Sequence, residues 1–251
     1  MKITEIPLDA NQEVTFNTIT PFLEPDSPFI WLKYFSKLLI LNTKNNKITE
    51  FDIDELGGPQ TLNYMFTAAH ALPGGRVLMS TSTNRLQLYK FEENSEIEAG
   101  GKIVNIIDKE IDTEDMLSGR IAVSANHDHV SVCVSKKDAN YKIEAIKLFK
   151  ITDNNFVLRL MIPVTKFDNL RIFWNHAICE DEKGQVMGIF GMNVGKKVNL
   201  FSWIVEKKRY KVVSNESVKV DIADPHDLRR TEVNKMRVIG SNGVVTDIIL
   251  N

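Results

Sequence analysis

Three of the five histidines, His70, His176 and His226, stand at similar places in a recurring pattern (AAHAL, NHAIC and PHDLR). Imidazole ligates borderline metals, so three of them converging on one axis could hold zinc. With Asp224 and Asp227 beside the third, such a centre would suit hydrolysis by metal-bound water. The plainer reading makes them structural groups, hydrogen-bonded where polar side chains are enclosed. Asn126-His127-Asp128-His129 brings two more histidines together at i and i+2, a spacing that on a strand puts both on one face. This tetrapeptide falls where a polar hairpin turn is required, which explains it without chelation.

Carboxylates raise a second chemistry, since glycoside cleavage needs two acids facing one sugar at a set separation. Asp128, Glu180 and Asp227 are the acids nearest the inward strands, but no aromatic stacking platform accompanies them. They read as solvated loop acids. Cys133 and Cys179 sit inside apolar runs (SVCV and HAIC) and read as buried free thiols in a reducing compartment. No G-x-S-x-G elbow is present, and Gly57-Gly58-Pro59 and Pro73-Gly74-Gly75 are turn chemistry. No catalytic residue, no metal ligand and no cofactor is therefore assigned, with His70, His176 and His226 kept as the metal alternative.

Composition narrows the classes further. A chain of 251 residues with 43% hydrophobic and 25% charged residues is ordinary for a folded globular protein. A net charge of -2 supplies no bulk attraction to phosphate backbones, so nucleic acid is not indicated. The basic runs Lys136-Lys137, Lys196-Lys197, Lys207-Lys208-Arg209 and Arg229-Arg230 flank strands and mostly neighbour acids, as turn and edge lysines do. MKITEIPLDANQEV has neither signal-peptide nor transit-peptide character, and no run reaches the ~18 apolar residues of a membrane helix. The expected location is cytoplasmic, with the nucleus left open, and without membrane insertion.

The elements that must position these residues are strands. Apolar residues alternate with period two, and helical stripes are scarce. Five segments end in similar strands: KITEFDI (47–53), RLQLYKF (85–91), AIKLFKI (145–151), VNLFSWI (198–204) and VVTDIIL (244–250). Each follows another apolar strand across a polar turn, most clearly at Ser241-Asn242-Gly243, where Asn-Gly suits a type I′ hairpin. A further strand precedes four of these hairpins, in AAHALPGG (68–75), IAVSANHDH (121–129), NHAICEDEKG (175–184) and PHDLRRTEVNK (225–235); FIWLKYF (29–35) takes that place in the first unit. TLNYMF (61–66), KIVNIID (102–108), FVLRLMI (156–162) and YKVVSN (210–215) supply fourth strands. The acidic stretch 94–118 is an interblade connection, with a short helix at DTEDML, or an exposed protrusion.

Four-stranded meanders of this size are propeller blades. AHALPGGRVLMSTSTNRLQLYKF resembles a WD40 repeat body, with Leu88-Tyr89-Lys90 where a Trp-Asp pair often stands, and NHAICEDEKGQVMGIFG is similar to an NHL-type repeat. The resemblance to the WD40-like and NHL-like β-propeller superfamily implies one all-β domain over 1–251. Its blades, about five, are 28–66, 67–108, 119–162, 172–215 and 225–250 plus 2–9, and a six-bladed count stays open. Strand 2–9 is expected to pair with the last blade and close the ring, with residues 10–27 crossing into the first.

For function, the resemblance implies a non-catalytic scaffold or adaptor, bound to one or more proteins of a larger intracellular assembly. The alternatives are a lactonase-like metal-dependent hydrolase on the propeller axis and, more weakly, an RNA-binding propeller. Trp31, Trp174 and Trp203 lie in strand patterns that suit a core between blades. Any of them left exposed would be a partner-binding anchor.

Overall fold

Short apolar runs bounded by Gly, Asn, Asp and Lys turns leave little room for anything but strands. A computed structural model describes residues 18–34, 37–52, 66–81, 84–93, 101–111, 116–136, 143–164, 173–193, 198–206, 209–220, 225–232, 235–240 and 245–249. Among these residues every regular element is a β-strand. Contacts group the chain into two units, residues 1–109 and 110–251.

The first unit holds two four-stranded sheets. One is built from β1 (Thr18–Pro21), β2 (Phe29–Tyr34), β3 (Lys37–Asn42) and β4 (Lys47–Asp52), and the other from β5 (Phe66–Leu72), β6 (Arg76–Thr81), β7 (Arg85–Glu93) and β8 (Gly101–Glu110). The second unit holds three sheets. These are β9 (Met116–Val123) with β10 (His129–Lys136), β11 (Ile143–Ile151) and β12 (Phe156–Pro163); β13 (Phe173–Glu180) with β14 (Val186–Asn193), β15 (Val198–Glu206) and β16 (Lys211–Val220); and β17 (Pro225–Glu232) with β18 (Lys235–Gly240) and β19 (Val245–Ile249). In every sheet, spatial neighbours are chain neighbours, as in a meander. First strands lie beside first strands: β1 touches β5, and β13 touches both β9 and β17.

Middle strands are buried on both faces. Val77 through Thr81 of β6 and Ala145 through Phe149 of β11 are all enclosed. A sheet covered on both sides has no solvent face to carry alternating polar residues, so its central strands become nearly continuous apolar runs. The fourth strands differ. On β12, Phe156 and Ile162 are buried while Leu158, Arg159 and Met161 are exposed.

The two seams best described each centre on a tryptophan. Between the first two sheets, Trp31 packs with Phe22, Leu38, Met79 and Phe91, its ring stacked on Phe22 at 4.7 Å and edge-on to Phe91 at 6.5 Å. Between the third and fourth sheets, Trp203 packs with Ile146, Leu148, Ile162 and Ile189. Trp31 and Trp203 are 2% and 1% exposed, so neither can anchor a partner. That correction has a simple cause: an indole facing a neighbouring sheet buries more apolar area than any other side chain can. The Trp174 side chain lies outside the described residues.

The first sheet departs from the expected frame. Thr18–Pro21 pairs with Phe29–Tyr34 and is the first strand, so FIWLKYF is the second strand and KITEFDI the fourth. Phe66 belongs to β5, opposite Thr81, and cannot close the first sheet as the end of TLNYMF. Hairpins look alike wherever they stand in a meander, so alternation alone cannot number their strands. The stretch from Gly101 through Glu110 is β8, and Met116 opens β9 rather than ending a helix. Residues 2–9 and the turn at 241–244 lie outside the described residues.

Candidate functional site

The polar side chains with chemical potential gather at the seam between the third and fourth sheets. His176 of β13 is buried, and its Nε2 lies 3.0 Å from the Ser131 carbonyl oxygen on β10. A carbonyl only accepts, so Nε2 carries the proton and Nδ1 is the acceptor. Cys133 Sγ lies 3.5 Å from that Nδ1 and donates its S–H to it. Burial pushes the Cys133 thiol up to about 12, so it stays protonated. A thiol and a neutral imidazole in this state are a structural hydrogen bond, since attack requires the thiolate.

Farther along the same seam, His129 opens β10 and Glu180 ends β13. Their side chains are 5% and 1% exposed, with Nδ1 and Oε1 separated by 3.6 Å. His129 Nε2 meets the Tyr210 hydroxyl at 3.0 Å, and the Arg159 guanidinium lies 5.8 Å from the Tyr210 ring centre. Glu180 Oε2 accepts the Asn126 backbone N–H at 3.2 Å. This acid is therefore no solvated loop group, as its place in EDEK suggests, but a buried carboxylate between two sheets.

Asn126 organises the approach to that carboxylate. Its Oδ1 accepts from Ser124 Oγ at 2.8 Å and from the Asp128 N–H at 3.0 Å, while Nδ2 donates to the Gly184 carbonyl at 3.2 Å. Gly184 has φ +72, and a Cβ there would collide with the Asn126 amide. In this tight turn the residue must be glycine for both reasons. The first unit repeats the device: Glu24, in the β1–β2 turn, accepts the N–H of Gly75, in the β5–β6 turn, at 2.6 Å. In both units a side chain from the first hairpin turn of one sheet holds a positive-φ glycine in the matching turn of the next.

No protein-family model and no curated protein matches the chain. Solved structures do. The β-propeller domain of Cps50 (Swd1) from Myceliophteria thermophila superposes with a TM-score of 0.60 at 11% identity, over 89% of this chain and 67% of that one. The fold is that of a β-propeller. A protein from Bacteroides uniformis bearing the provisional name 6-phosphogluconolactonase also aligns, with a TM-score of 0.56 at 11% identity over 91% of this chain and 70% of that one.

Of the three histidines considered as a metal trio, two have described side chains. His176 has both ring nitrogens committed to β10. His70 is half-buried on β5 in the first unit, and the His226 side chain lies outside the described residues. Among the described residues, no three His, Cys, Asp or Glu side chains converge to hold a metal. In the NHDH turn, His127 adopts φ 62, Asp128 is exposed and His129 turns inward to Glu180. Of the three acids considered for sugar cleavage, Asp128 is exposed, Glu180 is buried, and the Asp227 side chain lies outside the described residues.

Sequence reasoning missed the partnerships of Cys133 with His176 and of His129 with Glu180. A signal existed: NHDH and EDEKG occupy the same turn in consecutive repeats. Residues flanking them therefore meet wherever two sheets stack.

Proposed function

We propose that this propeller is a non-catalytic scaffold or adaptor for proteins of a larger intracellular assembly, presenting rigid loop faces to them. One observation carries the reading. Among the described residues, the groups best suited to chemistry (Cys133, His176, His129 and Glu180) are enclosed between sheets and used in holding them. Enzymes need such groups where substrate can reach them. Closure of the last sheet by residues 2–9 is proposed as part of the same reading.

The experiment is recovery of the chain from its native source, followed by reconstitution. A stoichiometric protein that re-forms a complex with the purified chain supports the scaffold. A chain that runs alone at its own mass in native extracts overturns it.

Similarity to the Bacteroides uniformis protein favours a second reading, a metal-dependent lactonase-like hydrolase. That reading requires His70, His176 and His226 as ligands, and His176 would have to give up its bonds to Cys133 and Ser131. Metal analysis of protein purified without chelators separates the two. A full equivalent of zinc, lost in His176→Ala, would favour the hydrolase.

A further inference from the structure

Two outer strands of the second unit each carry one extra residue. The β11–β12 register shifts between Leu148 and Phe149, which leaves Arg159 of β12 with no residue opposite. The β15–β16 register shifts between Ile204 and Val205, which does the same to Val213 of β16. A bulge re-aims the side chain it carries and spoils the edge for a further strand. Both extra residues are exposed, Val213 by 58%.

Arg159 is held where its bulge sends it. Its guanidinium lies 5.8 Å from the Tyr210 ring centre, within cation–π range. Tyr210 is itself fixed: its hydroxyl meets His129 Nε2 at 3.0 Å, and its N–H donates to the Glu206 carbonyl at 2.9 Å. It also holds φ at 49, a left-handed value that a bulky side chain adopts only when its contacts impose it. Arg209 and Lys211 flank Tyr210 in the chain, and both are exposed. Arg209 reaches Glu206 at 3.7 Å, while Arg159 and Lys211 make no ion pair among the described residues. The carboxylates nearby are Glu206, partly exposed and paired with Arg209, and Glu180, enclosed behind His129. Water-facing cations thus outnumber acids at this rim, with Val213 as an apolar footing, although the chain as a whole has a net charge of -2.

We propose that this rim, Arg159, Arg209 and Lys211 around Tyr210, is where an acidic segment of a partner protein docks; the inference rests on the scaffold reading and gives it a surface. Carboxylates suit the groups present. A guanidinium offers a planar fork of donors that takes a carboxylate in two parallel hydrogen bonds. One already seated on an aromatic ring loses less freedom when it binds. The bulges work against strand addition here, so recognition falls to side chains. A nucleic-acid strand would need open aromatic faces for its bases, whereas Tyr210 offers a half-buried ring that Arg159 already covers.

The probe is a fluorescent peptide of alternating glutamate and leucine, titrated into the whole chain and followed by anisotropy. It should bind the wild type, more weakly as salt is raised, and should lose affinity by about tenfold or more in Arg159→Ala and in Arg209→Ala. Lys44→Ala, in the β3–β4 turn, should bind as the wild type does. All three positions are exposed, and circular dichroism checks that each variant folds. A labelled oligouridylate represents the competing class. No peptide binding, binding unchanged in both arginine variants, or tighter binding of the oligouridylate than of the peptide would overturn the proposal. Its failure is distinct from that of the scaffold reading. A reconstituted native partner that binds wild type and both arginine variants alike would leave the scaffold standing and remove this surface from it.

Discussion

Cys133 and His176 lie 3.5 Å apart, a spacing that in an open cleft would suggest a nucleophile with its base. Their enclosure reverses that meaning. With the thiol pushed up to about 12, Cys133 should resist iodoacetamide at about pH 8 in the folded protein and react once the chain is denatured. Mass spectrometry of the alkylated protein checks this. His176→Ala would leave the Ser131 carbonyl and the thiol without their ring partners, for a loss of about 1–3 kcal/mol in denaturant unfolding. Alkaline stability carries two opposing contributions. The unfolded thiol ionises from about 9 while the folded one holds its proton to about 12, so this group costs stability as pH rises through that window. Burial lowers Lys33 below its usual 10.5, so in its own window the unfolded chain binds more protons and stability rises with pH. Cys133→Ala should therefore flatten the alkaline decline, and Lys33→Met should steepen it, in denaturation midpoints measured across that range.

Turns and strands carry the next scale of consequence. Gly74 and Gly184 both have positive φ, 77 and 72, but their surroundings differ. Beside Gly74 the nearest atom to an added Cβ is the flexible Arg76 Nε at 3.8 Å, whereas at Gly184 the Asn126 amide stands in the way. Gly74→Ala should cost roughly 1–2 kcal/mol, the left-handed penalty alone. Gly184→Ala should cost more, because the Asn126 bond between the third and fourth sheets is displaced as well. Equal losses in denaturant unfolding would mean that this turn contact contributes nothing. The same seam depends on Trp203, and Trp203→Ala should remove about 3–5 kcal/mol by leaving a cavity among Ile146, Leu148, Ile162 and Ile189.

For the whole molecule, stability and binding should separate if the chain is a scaffold. Seam variants such as Trp203→Ala would weaken every partner contact through loss of fold, whereas exposed positions such as Met161 of β12 would leave unfolding unchanged. Circular dichroism beside a reconstituted binding assay distinguishes the two. Strand type, turn places and most sheet membership were readable without coordinates, because alternation and turn chemistry are local: AHALPGG and RVLMST could only be a hairpin. The same local character explains the misnumbered first sheet, whose opening strand is the four-residue TITP. The buried role of Glu180 was hidden for a different reason. In the chain it belongs to a charged turn, EDEK, and only the stacking of one sheet on another encloses it with His129. Sequence alone thus determined that this chain forms small meandering sheets with apolar faces, since backbone pairing and side-chain alternation act between near neighbours. Tertiary structure decided which polar groups became seams instead of sites, because burial depends on what the next sheet covers.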